Sequence, residues 1–170
     1  MRAGDSKIRR LAEMPGIVSG LKALGKKVVF TNGCFDLLHN GHVRYLSAAR
    51  NCGDVLVVAV NSDSSIRRLK GKTRPLTPSV ERMEVLSALL FVDYVLEFDE
   101  DDPQMVIETI VPDVLIKGSD WAMNEIIGRE FVTSQGGDVM RIPLVESIST
   151  SSIVELIRTG SKNPETKEVI

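Results

Sequence analysis

Residues 55–60 read VLVVAV, six apolar side chains in succession with no polar residue to turn toward water. A strand with one solvated face alternates, whereas a strand that is apolar throughout must be covered on both faces. Residues 27–31 (KVVFT) carry a shorter β-branched and aromatic run of the same kind. Between the two, residues 41–51 place Val43, Leu46 and Ala49/Arg50 at helical spacing. Strand, helix and strand in that order belong to a parallel sheet with helices packed on both faces.

The same alternation continues along the chain. A short helix is expected over 16–25, with Ile17, Val18, Leu21 and Leu24 on one side and Gly25 as its stop. Residues 61–78 read as a long polar loop carrying Arg67, Arg68, Lys70, Lys72 and Arg74. Helices follow over 79–91, with Met83, Leu86 and Leu90 inward, and over 103–111, where Pro103 suits a first turn. Two more are expected over 127–135, stopped by Gly136 and Gly137, and over 150–158. The remaining strands fall at 92–98, 113–117 and 138–142. The expected fold is α/β, a Rossmann-like doubly wound parallel sheet of about five strands in a single domain. Residues 1–25 form a loose polar lead-in and the short helix, 26–160 the domain, and 161–170 a frayed tail. A chain of 170 residues suits one domain with a full core.

Composition narrows the function. A net charge of −2 argues against a general nucleic-acid surface, which needs a basic excess. No apolar run approaches the roughly 20 residues that span a bilayer. The start, MRAGDSKIRRLAEM, lacks the apolar core of a signal peptide, so a cytoplasmic protein is expected. Cys34 and Cys52 do not make a disulfide framework and are expected as free thiols. Cys and His at zinc-ligand spacing are missing, so no protein metal centre is expected.

In doubly wound sheets ligands bind beyond the carboxyl ends of the strands. The polar and glycine-rich segments fall there, at 32–42, 61–74, 118–121 and 146–152. The first holds both histidines of the chain, in His39-Asn40-Gly41-His42. Imidazoles can aim N–H donors at a phosphate, and the helix start behind them adds unpaired N–H groups and a positive dipole end. Gly33 is expected to let the backbone turn tightly, and Gly41 to let a ligand approach the helix start. GxxxxGK[ST] and GxGxxG are both absent. Lys70-Gly71-Lys72 reads either as a loop closing over phosphates or as a solvated basic loop. Lys117, at a strand end before Gly118, is placed to reach a substrate anion. Asp120 suits sugar hydroxyls or a metal-bound water, and Trp121 partial core packing. Ser149, Thr150 and Ser151 cap the last helix or hold a phosphate at its start, and the two roles are compatible. Arg82 reads equally as an ion-pair residue and as a phosphate contact.

Together, His39-Asn40-Gly41-His42 after the first strand and Ile148-Ser149-Thr150-Ser151 before a late helix resemble the cytidylyltransferase-like nucleotidyltransferases. The resemblance runs from about residue 26 to 158. TNGCFDLLHNGHVRYL, VNSDSSIRRLKGKTRP, ERMEVLSALLFVDYV, PDVLIKGSDW and GGDVMRIPLVESISTSSI are most similar to the branch that adenylylates D-glycero-β-D-manno-heptose 1-phosphate. That activity occurs alone and as the C-terminal half of a bifunctional heptose kinase/adenylyltransferase. The chain has no room for a kinase domain, so the stand-alone form or an excised half is expected.

The resemblance implies in-line attack of the acceptor phosphate on the α-phosphorus of a nucleoside triphosphate, ATP by preference, with release of pyrophosphate. It implies that His39 and His42 contact the triphosphate and stabilise the transition state with Lys117. Asn32, Gly33, Cys34, Phe35 and Gly41 would line the nucleotide, and Lys70 or Lys72, with Arg82, would hold phosphates. Ser149, Thr150 and Ser151 would bind the β/γ end. Asp36, Gly118, Asp120 and Trp121 would face the acceptor, with Asp36 a candidate for the shell of a phosphate-bridging Mg²⁺. A homodimer is implied by the same analogy. Glycerol 3-phosphate cytidylyltransferases carry RTEGISTT, but here residues 144–147 read LVES, without arginine. Two other readings stay open: transfer to another acceptor (glycerol 3-phosphate, phosphoethanolamine or FMN, from CTP or ATP), and a nucleotide-binding module without turnover.

Overall fold

A computed structural model describes residues 6–143 and 149–160. Residues 144–148, which include Ser147 and Ile148, and the tail from residue 161 lie outside the described residues. Five strands form one parallel sheet: β1 (Val28–Gly33), β2 (Val55–Asn61), β3 (Tyr94–Phe98), β4 (Val114–Gly118) and β5 (Asp138–Ile142). Their order in space is β3-β2-β1-β4-β5. The chain therefore builds outward from β1 in one direction and then returns to build outward in the other, the doubly wound arrangement expected above.

The run at 55–60 is buried at every position, as its lack of polar residues required. Its side chains alternate between two cores. Val55, Val57 and Ala59 join Val28, Phe30 and Leu115 on one face, under Met14 and Val18, Ile107 and Val132. Leu56, Val58 and Val60 join Val29, Val114 and Ile116 on the other, under Leu46 and Ala49, Met83 and Leu86. The first face is covered by α1 (Met14–Ala23), α5 (Gln104–Ile110) and α6 (Arg129–Ser134), the second by α2 (Asn40–Arg50) and α4 (Ser79–Ser87).

Three local expectations need correction. The 61–78 stretch is not all loop: α3 (Asp63–Lys70) occupies its first half, capped by Ser62, whose side chain accepts from Ser65 N. The helix is amphipathic but short and polar on average, with one fully buried apolar residue, Ile66, so the stretch reads as a polar loop. The described part of the lead-in, from residue 6, is not loose either. Arg9 N donates to Val95 O and Val95 N to Lys7 O, so residues 7–9 protect the free edge of β3. Met14 is fully buried, and α1 starts two residues early because Pro15 fits its first turn, where no N–H is required. The helix expected over 79–91 ends at Ser87, with Ala88 closing it, so Met83 and Leu86 point inward as expected but Leu90 lies beyond the helix and is exposed.

Candidate active site

β1 and β4 share two paired positions, Val29 with Val114 and Phe30 with Leu115, whereas β1 and β2 share six. This is the point where the strand order reverses. Beyond it a cleft of about 940 Å³ lies over the strand ends. Tyr45 of α2 closes the gap from one side, its hydroxyl 2.8 Å from Thr31 Oγ1 and donating to Ile116 O at 3.3 Å. Burial pushes its phenol above the ordinary range, so it stays neutral. From the other side Lys117 Nζ donates to Asn32 Oδ1 at 2.5 Å, tying the end of β4 to the end of β1.

Lys117 is 9 % exposed, and its Nζ lies 5.8 Å from the centre of the Trp121 ring. Burial pulls its pKa down to about 8, against the opposing charges of Asp120 and Cys34. The ammonium is thus cationic at pH 7 but close to its titration point, in a cleft to which Asp120 also contributes a carboxylate.

The histidines stand across this cleft at the start of α2. His39 is the N-cap residue, in extended conformation, and its side chain makes no capping bond. The two imidazoles stack with centroids 3.8 Å apart, and the Phe35 ring meets His42 edge-on at 5.3 Å. Nδ1 of each is buried without a hydrogen-bond partner among the described residues. Burial pulls His39 below its usual value and takes His42 down to about 4, with repulsion from His39 and Lys70 assisting. The Leu37 carbonyl opposes this shift without meeting hydrogen-bond geometry. Both rings are therefore neutral at pH 7, and Nε2 is the nitrogen left to the cleft.

Gly33 is glycine for a different reason from the one expected. It is the last residue of β1 and makes no tight turn; a Cβ there would lie 3.1 Å from Phe35 Cε2. The turn falls on Phe35, whose φ of 47° is left-handed. Two further elements reach the cleft. The end of α3 brings Leu69 and Lys70, and the start of α7 (Thr150–Thr159) brings Ser149, Thr150, Ser151 and Ser152. Ser149 caps α7 by accepting from Ser152 N at 3.0 Å, and Thr150 Oγ1 donates to Leu37 O at 3.4 Å. Two helix N-termini, of α2 and α7, thus converge on one cavity with their unpaired N–H groups.

Asn32, Cys34, Gly41, Gly118 and Asp120 line the cleft with these groups, but Asp36, Lys72 and Arg82 do not. Asp36 faces away: its carboxylate accepts from Arg74 Nη1 at 2.7 Å and from the amides of Leu76 and Thr77. Arg82, 2 % exposed, donates to Cys34 O, Asn61 O and Thr77 O and pairs with Asp63 at 2.8 Å. These two residues hold the 34–38 turn, the end of β2 and the 74–78 loop as one unit beneath the site. Arg82→Met removes the guanidinium from three carbonyls and leaves the Asp63 carboxylate with the Ser79 amide but without its cation. Chemical denaturation is expected to show a loss of about 3–5 kcal/mol.

Tyr45, Asp101, Pro103 and Ile127 line the cleft from outside the segments expected at the strand ends, and Asn61, Leu69 and Ser152 lie within those segments without being singled out. Two had a signal. Tyr45 sits one turn beyond His42 on the same helix, and Asn61 is the polar residue that ends an otherwise apolar strand. Leu69 and Ile127 are apolar residues at 50 % and 37 % exposure, and nothing local marks them.

Comparison with known proteins identifies the family. Residues 30–156 match the cytidylyltransferase-like family model, and the chain belongs to that family of nucleotidyltransferases. It is 53 % identical over 154 residues to "Bifunctional protein HldE" of Geobacter sulfurreducens, covering 91 % of this chain and 31 % of that one. Against the protein of the same name from Alcanivorax borkumensis it is 52 % identical over 141 residues, covering 83 % and 30 %. The chain thus spans about a third of the length of these curated relatives. Among solved structures it resembles a lipopolysaccharide core biosynthesis protein of Thermoplasma volcanium, at 30 % identity and a TM-score of 0.60, covering 73 % of this chain and all of that one. A pantoate-beta-alanine ligase of Francisella tularensis shares the fold at 14 % identity and a TM-score of 0.56, covering 89 % and 76 %.

Proposed function

We propose that the chain transfers AMP from ATP to D-glycero-β-D-manno-heptose 1-phosphate, giving ADP-heptose and pyrophosphate. The observation that carries the reaction type is the meeting of Lys117, the stacked His39 and His42, and two helix N-termini in one cleft at the strand reversal. The acceptor rests on the identity of about half of all residues to the HldE proteins. An oxygen of the sugar phosphate attacks the α-phosphorus. The bond from that phosphorus to the bridging oxygen breaks, and the electron pair leaves with pyrophosphate. There is no protein nucleophile in this scheme. The residues act by positioning and by meeting negative charge as it builds on the leaving group. His39 and His42 donate from Nε2, Lys117 adds a cation, and the α7 start with Ser149, Thr150 and Ser151 holds the far phosphates. Lys70 closes the site from α3, and Asp120 and Trp121 face the sugar.

Members of this enzyme class generally use a divalent metal. Among the described residues no group of three or more His, Cys, Asp or Glu side chains is arranged to hold one. That donor set fits Mg²⁺ carried on the triphosphate, since the ion keeps its waters and takes few protein ligands. Asp101 lines the cleft with its Oδ1 held by Arg68 at 2.6 Å, which leaves its other oxygen to that water shell, whereas Asp36 lies outside the cleft and is held by Arg74. The ion would neutralise phosphate charge. No helix among the described residues is long and apolar enough to cross a membrane. A cytoplasmic homodimer completes the proposal.

The test is a panel of ATP, CTP and GTP against heptose 1-phosphate, glycerol 3-phosphate, phosphoethanolamine and FMN with Mg²⁺, read as pyrophosphate release. Release with ATP and the heptose phosphate is expected. Turnover confined to another pair overturns the acceptor, and tight nucleotide binding without turnover overturns the enzyme. A pH profile separates the charged groups. Below pH 8 Lys117 holds its proton and above it the proton is lost, so kcat/KM is expected to fall about tenfold per pH unit beyond 8. On the acid side no loss near 6.5 is expected from His42, which is already neutral there and remains so down to about 4.

A further inference from the structure

We propose that Asn32 is the positioning residue for Lys117, its amide oxygen holding the ammonium across the opening between β1 and β4. The inference deepens the reading above and rests on it for the role of Lys117. By strand alternation Asn32 follows Phe30 and Lys117 follows Leu115, so both lie on the same side of the sheet. The paired register ends at Phe30 and Leu115, and the contact of 2.5 Å is the tie that joins the strands on this side beyond that point. A lysine ammonium only donates, so the Asn32 oxygen must face it. That orientation turns the amide NH₂ away from Lys117, in a residue that lines the cleft. Asn32 therefore does two things: it fixes the ammonium in a site where a free lysine stem would sample many rotamers, and it presents a second donor to the same anion. Being neutral, it holds the ammonium without the charge that would keep it strongly protonated. A carboxylate at the same place would neutralise the cation that the phosphates need.

Asp120 and Cys34 act on Lys117 by charge. The other titratable groups lining the cleft are His39, His42, Tyr45, Lys70 and Asp101, and none of them changes in the variants below. The titration of Lys117 is read in the free protein by competitive labelling with acetic anhydride across pH and peptide mapping. In Asn32→Leu the buried ammonium loses its acceptor, and the labelling midpoint is expected to fall by about one pH unit or more. In Asn32→Asp, nearly isosteric, the midpoint is expected to rise by about one to two units, and the alkaline limb of kcat/KM moves up with it. At pH 7.5 kcat/KM is expected to fall about tenfold in Asn32→Leu. Midpoints unchanged in both variants overturn the proposal and leave Asn32 as a direct substrate contact or a structural residue. If Asn32→Leu fails to fold, Asn32→Asp alone decides. If the unaltered protein shows no turnover, the function fails while the labelling still tests the Asn32–Lys117 tie.

Discussion

His42→Ala is expected to lower kcat by about 10²–10³-fold, the loss typical of removing one preorganised donor to a developing oxyanion. KM for the nucleotide is expected to change far less, because in the proposed reaction the helix N-termini and Lys117 would still bind the triphosphate. The argument rests on the ring's state. At neutral pH His42 carries no charge, its Nδ1 is buried, and it stacks on His39 at 3.8 Å. A neutral donor in a dry site attracts the ground-state triphosphate only weakly. Its bond strengthens as charge collects on the departing oxygen, which is the condition for acting on rate and not on binding. His42→Asn keeps an N–H donor in a shorter side chain and is expected to recover part of the loss. Steady-state kinetics with both variants checks this, and an unchanged kcat in His42→Ala would remove the ring from the mechanism. The same substitution has a stability signature. Because the folded pKa of about 4 lies below the ordinary 6.5, His42 favours the folded state fully above 6.5, and that contribution is lost as pH falls from 6.5 toward 4. Denaturation midpoints of His42→Ala between pH 7 and 4.5 are expected to fall less with acid than those of the unaltered protein.

The fold was legible because its strongest signals are long. An all-apolar strand such as 55–60 has one solution, burial on both faces, and five strands separated by helices follow from repeating that inference. The candidate site was legible where a polar residue coincides with a strand end or the helix start that follows it. Asn32, His39, His42 and Lys117 are polar residues placed where an apolar run stops, and the order of the strands then brings those ends together. What stayed hidden is what depends on partners far along the chain. Asp36 and Arg82 have the composition of ligand-binding groups, but Asp36 is held by Arg74, 38 residues away, and Arg82 by Cys34, 48 residues away. No local pattern distinguishes a guanidinium aimed at phosphates from one aimed at backbone carbonyls. α3 escaped for a related reason: it is held by its ends and flank. Asp99 accepts from Ser62 and Ser64, and Arg68 pairs with Asp101. Periodicity carries no trace of such contacts.

Lys117→Met is expected to cost the most of any single change in the cleft, about 10³-fold in kcat/KM. That combines a lost oxyanion contact with weaker triphosphate binding. Methionine has close to the length and volume of the lysine stem, so packing is largely kept. The substitution removes a cation whose burial already works against it, as its depressed pKa of about 8 shows. Folding therefore carries a cost for Lys117 below pH 8, relieved as pH rises from 8 toward the ordinary 10.5. Lys117→Met is expected to be at least as stable as the unaltered protein at pH 7, while it loses nearly all activity. The alkaline limb of the pH profile is expected to vanish with it, since the group that titrates is gone. Lys117→Arg is the informative companion. It keeps the charge, but its planar fork does not fit a site shaped around a compact ammonium 2.5 Å from Asn32 Oδ1 and 5.8 Å from the Trp121 ring. Charge alone would predict recovery in Lys117→Arg, whereas placement predicts little. Denaturation curves at pH 7 with kcat/KM across pH 6–10 for both variants separate the two. A stable, active Lys117→Met would mean that the triphosphate is held by the helix N-termini and histidines alone.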